Sequence, residues 1–349
     1  MAIDEEGTMR LLVTGGTGFV MSHVVRTWLE HHPSASVVSV DIAPPDSLAE
    51  RFFEPVRERL SVVTGDVRDP LLLGAIPGNE SITHVVCGAA MTPTIGTTEK
   101  SQAAMIAGVN IMGPVHCLEY ARALPRLERM VHVSTGSVYG DDGPDDGAPL
   151  PEDGYVRPFP VTLYPVTKLS GELLANRWRE LFGLPLHVVR LASVYGPMDR
   201  PTPGRDFACA PHVMVHKALR GEPWSVAHAD GVGDFIHAAD VAGAICNLLA
   251  APALRHDVYN IASGEPTTLD TLARLVCSVV PGATWHEAAP GDLADVVGSP
   301  TRRTGAWGAY DISRIFADVR WRPRPLRQCL SDYAAWITDN ESDGPQRPS

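Results

Sequence analysis

The chain has 349 residues, 44% of them hydrophobic and 20% charged, enough apolar material for one large or two intimately joined globular domains. Its 29 Lys and Arg against 41 Asp and Glu leave a formal charge of −12, which argues against nucleic acid or an anionic membrane as a partner. The six cysteines form no C-x-x-C pair and read as reduced core thiols of a cytoplasmic protein, no apolar run approaches a membrane span, and residues 1–8 are polar and acidic, unlike a signal peptide.

Residues 9–13 form a short apolar run, read as a buried parallel strand. It runs into Thr14-Gly15-Gly16-Thr17-Gly18-Phe19-Val20, and a helical pattern covers residues 19–31. A glycine-rich turn between strand and helix brings backbone amides and the helix dipole up to a phosphate. Gly15, Gly18, Phe19 and Val20 are therefore candidate dinucleotide contacts. The next strand, residues 37–40, ends in Asp41, at the spacing expected of a ribose-binding acid. A carboxylate there accepts hydrogen bonds from ribose hydroxyls and repels a 2′-phosphate. No arginine follows in Ile42-Ala43-Pro44-Pro45, so the cofactor reading is NAD over NADP, with Ile42 also in contact.

A third strand over residues 60–64 leads to Asp66, placed for an adenine amino group, and Val67, placed to pack on the ring. A fourth, over residues 84–87, ends in Gly88-Ala89-Ala90, small enough for a nicotinamide ribose to lie on the backbone. A long helix is expected over residues 101–123 with Asn110 inside it, and a polar Asn there should bond backbone or water. The fifth strand, residues 130–133, runs into Ser134-Thr135, and the acidic, Gly- and Pro-rich residues 141–160 read as a rim or flap.

Tyr164 and Lys168 stand four apart on a helix reaching about residue 182, with Gly183 as its stop. That spacing puts phenol and ammonium on one face. A cation beside a phenol favours the phenolate, which then passes a proton to or from a substrate oxygen that Thr135 also bonds. The bland alternative is a surface helix pair. A sixth strand covers residues 186–191, ending at Leu191; Ser193 and a loop bearing Arg200 and Arg205 follow. The two arginines read either as bidentate anion ligands or as exposed loop charges. Met91, Thr135, Ser193, Arg200 and Arg205 make up the candidate substrate set. A helix over residues 239–250, a strand over 258–261 and amphipathic helices over 269–280, 312–316 and 326–337 complete the pattern. His212 and His216 have helical metal-ligand spacing but no evident third ligand, so no metal site is expected.

The alternation predicts an α/β fold: a Rossmann-like doubly wound parallel sheet with a smaller C-terminal α/β substrate-binding region. The cofactor domain is expected over residues 9–190 plus about 235–262. The substrate region is expected over 191–234 and 263–338, with flexible tails at 1–8 and 339–349. Apart from Asn110 and the Tyr164–Lys168 pair, the candidates lie at strand carboxyl ends, where such folds bind ligands.

Taken together, TGGTGFV at the first turn, Asp41, GDVRD at 65–69, GAA at 88–90, Asn110, VSTGSVYG at 133–140, YPVTK at 164–168 and DFIHAADVA at 234–242 resemble the extended short-chain dehydrogenase/reductase family, often called NAD-dependent epimerase/dehydratase. The resemblance covers most of residues 9–262. It implies Thr135, Tyr164 and Lys168 as catalytic residues, Lys168 lowering the Tyr164 pKa and holding the nicotinamide ribose. It implies that Asn110 orders a water and the lysine, that the C-terminal helices form a lid, and that the chain dimerises through the Asn110 and Tyr164 helices. There are three departures. Met21 stands at the third glycine of the turn and calls for a small local shift. Gly136 and Ser137 stand where dehydratases carry an Asp-Glu pair, which ranks dehydration low. Gly233 replaces the arginine before D-F-I-H that often grips a nucleotide-sugar diphosphate. The expectation is an NAD-dependent oxidoreductase or epimerase acting at a carbinol carbon of a small sugar-like substrate. A nucleotide-sugar 4-epimerase retaining its NAD and a non-catalytic NAD-binding protein stay open as alternatives.

Overall fold

The computed structural model describes residues 8–92, 98–140, 147–154, 162–202, 204–205, 208–302 and 308–341. It opens with strand β1 (Arg10–Thr14), helix α1 (Phe19–His31), β2 (Ser36–Asp41), α2 (Ser47–Phe53), β3 (Leu60–Thr64) and β4 (His84–Cys87). The next helical stretch comes in three pieces: α3 (Thr98–Ala107), a π-helical turn (Gly108–Met112) and α4 (Gly113–Ala123). Then come β5 (Arg129–Thr135), α5 (Leu163–Phe182), β6 (Leu186–Leu191), β7 (Ser193–Tyr195), α6 (Ala210–Leu219), β8 (Trp224–Ala227), β9 (Val232–Gly233), β10 (Phe235–His237), α7 (Ala238–Ala250) and β11 (Val258–Ile261). The chain continues through β12 (Thr267–Thr268), α8 (Leu269–Val279), β13 (Trp285–Glu287), β14 (Val296–Val297), α9 (Ser313–Val319) and α10 (Leu326–Glu341).

Seven strands form one sheet in the order β11-β6-β5-β4-β1-β2-β3, with every neighbouring pair parallel. The strands are near-continuous apolar runs because both faces are covered. Successive residues point to opposite faces: Leu11 and Val13 pack toward α1 and α7, while Leu12 between them packs toward α4. The strand order reverses beside β1, between β4 and β2, which opens a crevice at the carboxyl ends.

Beyond the large sheet, α6, α8 and α10 share a second core with Tyr195, Met214, Trp224, Leu272 and Tyr333. Its small parallel sheet, β13-β8-β14, makes this region α/β as expected, although the sequence pattern located only helices after residue 262. These strands span two or three residues beside a four-residue partner, too short to show an alternating pattern. The helix expected over 101–123 is divided by the π turn. Residues 339–341, expected in the tail, belong to α10, whereas 1–7 and 342–349 lie outside the described residues. So does most of the expected flap, of which only 147–154 is described. Among the described residues no helix is long and apolar enough to cross a membrane.

Candidate active site

A cavity of about 660 Å³ opens at the carboxyl ends of the large sheet, and every candidate catalytic, cofactor and substrate residue lines it except Asn110. On its nucleotide side, Gly15 turns with φ +75°, and a Cβ there would meet the Ala89 Cα at 2.9 Å. Only glycine lets the first turn come so close to the end of β4. Helix α1 starts after Gly18, and no side chain caps it. Its first amides therefore lack a side-chain acceptor, as suits a phosphate. The Asp41 carboxylate accepts from the Thr17 amide at 3.0 Å, the Thr17 hydroxyl at 2.7 Å and the Ile42 amide at 2.8 Å, so it also fixes the glycine turn. Asp66 pairs with Arg68, whose hydrogen bonds hold its carboxyl below the usual range. Val67 packs against the bare Cα of Gly113 on α4.

Met21 is accommodated by its neighbour. A Cβ on Gly88 would stand 2.3 Å from the Met21 sulfur, so the missing glycine of the turn is offset by a glycine on β4's flank. Met21 is buried and forms one wall of an open cavity.

On the opposite side, β5 delivers Thr135, whose Oγ1 accepts from the Ser137 amide at 3.2 Å. The Tyr164 phenol lines the cavity with Thr135 and Thr92, whose side chains, with the Arg205 charge, favour its ionised form. Desolvation nevertheless pushes its pKa up, with those three groups pulling the other way. Lys168 is buried and donates to the Val133 carbonyl at 2.5 Å. Desolvation pushes its ammonium down to about 8, against the pull of Cys87 and Glu172. Lys168 lines the same cavity as Tyr164, four residues further along α5, and the Arg205 guanidinium adds its charge near the phenol.

Helix α5, which carries Tyr164 and Lys168, is pinned from below. Glu172 accepts from Ser134 Oγ at 2.9 Å and from Arg190 Nε at 3.2 Å, and Arg190 also donates to Tyr139 Oη at 2.8 Å. Asn110 sits in the π turn, fully buried. Its Oδ1 accepts from the Met91 amide at 2.8 Å, and its Nδ2 donates to the Met91 carbonyl at 3.0 Å and to Thr167 Oγ1 at 3.1 Å. These bonds tie the end of β4 directly to α5.

The two loop arginines part company. Arg205 pairs with buried Asp199 at 2.8 Å and lies 5.0 Å over the Phe19 ring, on the Tyr164 side. Arg200 reaches Asp46 at 2.7 Å and the Thr17 carbonyl at 3.4 Å, on the nucleotide side of the same cavity. Leu191 at the end of β6 and Ser193 at the start of β7 line one wall, as Ala90 and Met91 do after β4.

Ser137 lines the cavity too, as do Thr92, Arg302 and Tyr310, three residues that the sequence did not single out. A Cβ on Gly136 would stand 2.5 Å from the Tyr310 hydroxyl, so that ring covers Gly136 directly. Tyr310 is brought there by Asp234, whose carboxylate accepts from the amides of Ser263 at 2.7 Å, Gly264 at 3.1 Å and Tyr310 at 3.4 Å. The DFIH stretch was the available signal, but it says nothing of which segment Asp234 holds. Neither α8 nor α10 contributes a residue to the cavity lining. His212 and His216 both contact the Tyr333 hydroxyl, at 3.0 and 3.2 Å.

A parallel Rossmann-like sheet, an uncapped glycine turn at its switch point and a Thr/Tyr/Lys set in the same cavity define an enzyme of the dinucleotide-dependent class. The model of the NAD dependent epimerase/dehydratase family matches residues 11–262, and the chain belongs to that family. It is 25% identical over 344 residues to the dTDP-glucose 4,6-dehydratase of Mycobacterium tuberculosis, covering 96% of this chain and 95% of that one. It is 27% identical over 279 residues to a trifunctional UDP-glucose 4,6-dehydratase/UDP-4-keto-6-deoxy-D-glucose 3,5-epimerase/UDP-4-keto-L-rhamnose-reductase of Arabidopsis thaliana, covering 77% of this chain but 39% of that longer one. The crystal structure of UDP-glucuronic acid 4-epimerase from Bacillus cereus in complex with UDP-glucuronic acid and NAD superposes with a TM-score of 0.76 at 25% identity, covering 95% and 99% of the two chains.

Proposed function

We propose that the chain holds NAD in this cavity and catalyses hydride transfer at a carbinol carbon of a sugar-like substrate, as an epimerase or a dehydrogenase. The observation that carries this reading is the gathering of Thr135, Tyr164 and Lys168 in the one cavity that the glycine turn opens. The residues present suit NAD. Gly15, Gly18 and the uncapped start of α1 would take the pyrophosphate, Asp41 the adenosine ribose, and Ala89 and Ala90 the nicotinamide ribose. When bound, NAD supplies the hydride acceptor. Thr135 holds the substrate oxygen and Tyr164 takes its proton, with Arg205 and Thr135 favouring the phenolate against the cost of burial. Lys168 completes the same wall.

Dehydration is the second reading, favoured by the full-length similarity to a 4,6-dehydratase. Against it, the residues after Thr135 are Gly136 and Ser137, and a phenol occupies the space where a side chain at 136 would go.

The test is turnover of UDP-glucuronic acid, UDP-glucose and dTDP-glucose with NAD, followed by nuclear magnetic resonance. An epimer without net NADH assigns epimerase, net NADH assigns dehydrogenase, and a 4-keto-6-deoxy sugar assigns dehydratase. Tyr164→Phe should lose about 10²- to 10⁴-fold in kcat, the range of a general acid–base, and still bind NAD. Near-normal turnover would remove Tyr164 from the role. NAD binding without turnover across a broad sugar panel would leave a non-catalytic NAD-binding protein.

A further inference from the structure

We propose that Arg200 is a cofactor latch, which ties the segment after β7 to the nucleotide side of the cavity and slows NAD release. The inference rests on the NAD reading above but not on turnover. Arg200 belongs to the same segment as Arg205, yet its side chain runs the other way. Its Nε donates to Asp46 Oδ2 at 2.7 Å, its Nη2 to the Thr17 carbonyl at 3.4 Å, and its Nη1 to the Met198 carbonyl at 3.0 Å.

Both distant anchors are themselves fixed. Asp46 caps α2 through the Ala49 amide at 2.8 Å, and Thr17 is held by Asp41. They are the two loops a dinucleotide must touch: the glycine turn and the segment after β2. Arg200, Asp46 and Thr17 all line the cavity, so the ion pair joins two of its walls. The segment's path is set at Met198, a buried non-glycine residue at φ 68°. From there Asp199 turns inward to Arg205 and Arg200 turns outward to Asp46.

A guanidinium in this place serves a dinucleotide in two ways. It offers a fork of donors beside the turn that would carry the pyrophosphate. It also closes a rim pair that has to open before the cofactor leaves: the Arg200 side chain is 16% exposed and its Asp46 partner 51%. A latch of this kind suits an enzyme that keeps its cofactor through many turnovers, as an epimerase does.

The measurement is the dissociation rate of NADH from the full-length protein, read by stopped-flow fluorescence during a chase with excess NAD. Arg200→Ala should raise that rate by about tenfold or more, the scale of one lost charge-assisted hydrogen bond. Arg200→Lys should fall between, because it keeps the charge and loses the fork. Asp46→Asn should raise the rate less, and the Arg200→Ala/Asp46→Asn double variant should match Arg200→Ala, since the two side chains act as a pair. Rates within about twofold of wild type in both Arg200 variants would overturn the latch. So would an Arg200→Ala protein that raises only the KM of the sugar substrate, the pattern of a substrate ligand. A confirmed latch in a protein with no turnover leaves this inference standing and the catalytic reading fallen; a Tyr164→Phe protein that loses turnover beside unchanged Arg200 rates gives the reverse.

Discussion

Met21 and Gly88 are a matched pair of side-chain sizes. A Met at the third position of the turn would crowd the β4 end if residue 88 carried even a methyl group. Gly88→Ala is expected to cost about 1–3 kcal/mol by overpacking and to weaken NAD binding, because the methyl also meets the Thr14 carbonyl at 3.1 Å. Met21→Ala in the same chain should return part of that loss, measured by urea denaturation and cofactor titration. Additive losses would show that the two positions do not share one space. Gly136 and Tyr310 repeat the arrangement on the other side of the cavity, where a side chain at 136 would have to displace a phenol.

Helices do more here than carry side chains to the site. The π turn inserts Asn110 into the join between β4 and α5, where its amide satisfies both the N–H and the C=O of Met91. Such turns arise where an extra residue per turn re-aims a side chain. Asn110→Ala leaves two buried backbone groups without those bonds and releases Thr167 on α5. A loss of about 1–3 kcal/mol in stability is expected, with a fall in kcat as Met91 and α5 loosen. Asn110→Asp should do little better, because a carboxylate cannot donate to the Met91 carbonyl. Retained stability together with retained kcat in Asn110→Ala would show that water replaces the amide at no cost.

Across the whole molecule, several histidines are buried in neutral form. Burial pushes His23 and His84 down to about 4 and His237 to about 3, from an ordinary 6.5. A histidine lowered on folding contributes stability above its unfolded pKa. That contribution is lost as pH falls from about 6.5 toward 4, at about 3 kcal/mol for each of the three. Asp234 works the other way. Burial raises it from 3.8 to about 6, so its ionised form costs stability above that pH, and acidification to about 4 returns about 3 kcal/mol. Three groups outweigh one, and the net loss rivals the stability of an ordinary domain. The urea midpoint is therefore expected to drop steeply between about pH 6.5 and pH 4.5. His23→Gln, which keeps a polar group near the Pro197 carbonyl 2.9 Å away, should flatten the slope. A midpoint constant over that interval would remove the buried neutral histidines from the account.

Local rules reached the sheet, the glycine turn, Asp41 and the Thr135–Tyr164–Lys168 set, because each depends on neighbours along the chain. Apolar runs such as 84–87 are strands buried on both faces, a turn of Gly15 and Gly18 needs only its own φ angles, and i to i+4 spacing fixes which side chains share a helix face. The rest depended on how the crossovers bring remote segments together. Arg200 meets Asp46 across 154 positions and Thr17 across 183, and no pattern within a helix or strand records that distance. The same holds for Arg205 facing Tyr164, for Thr92 at the phenol and for Tyr310 over Gly136. A side chain's chemistry is written in its own residue, but which partner absorbs its charge or fills its hollow is decided only when the strands have stacked in their final order.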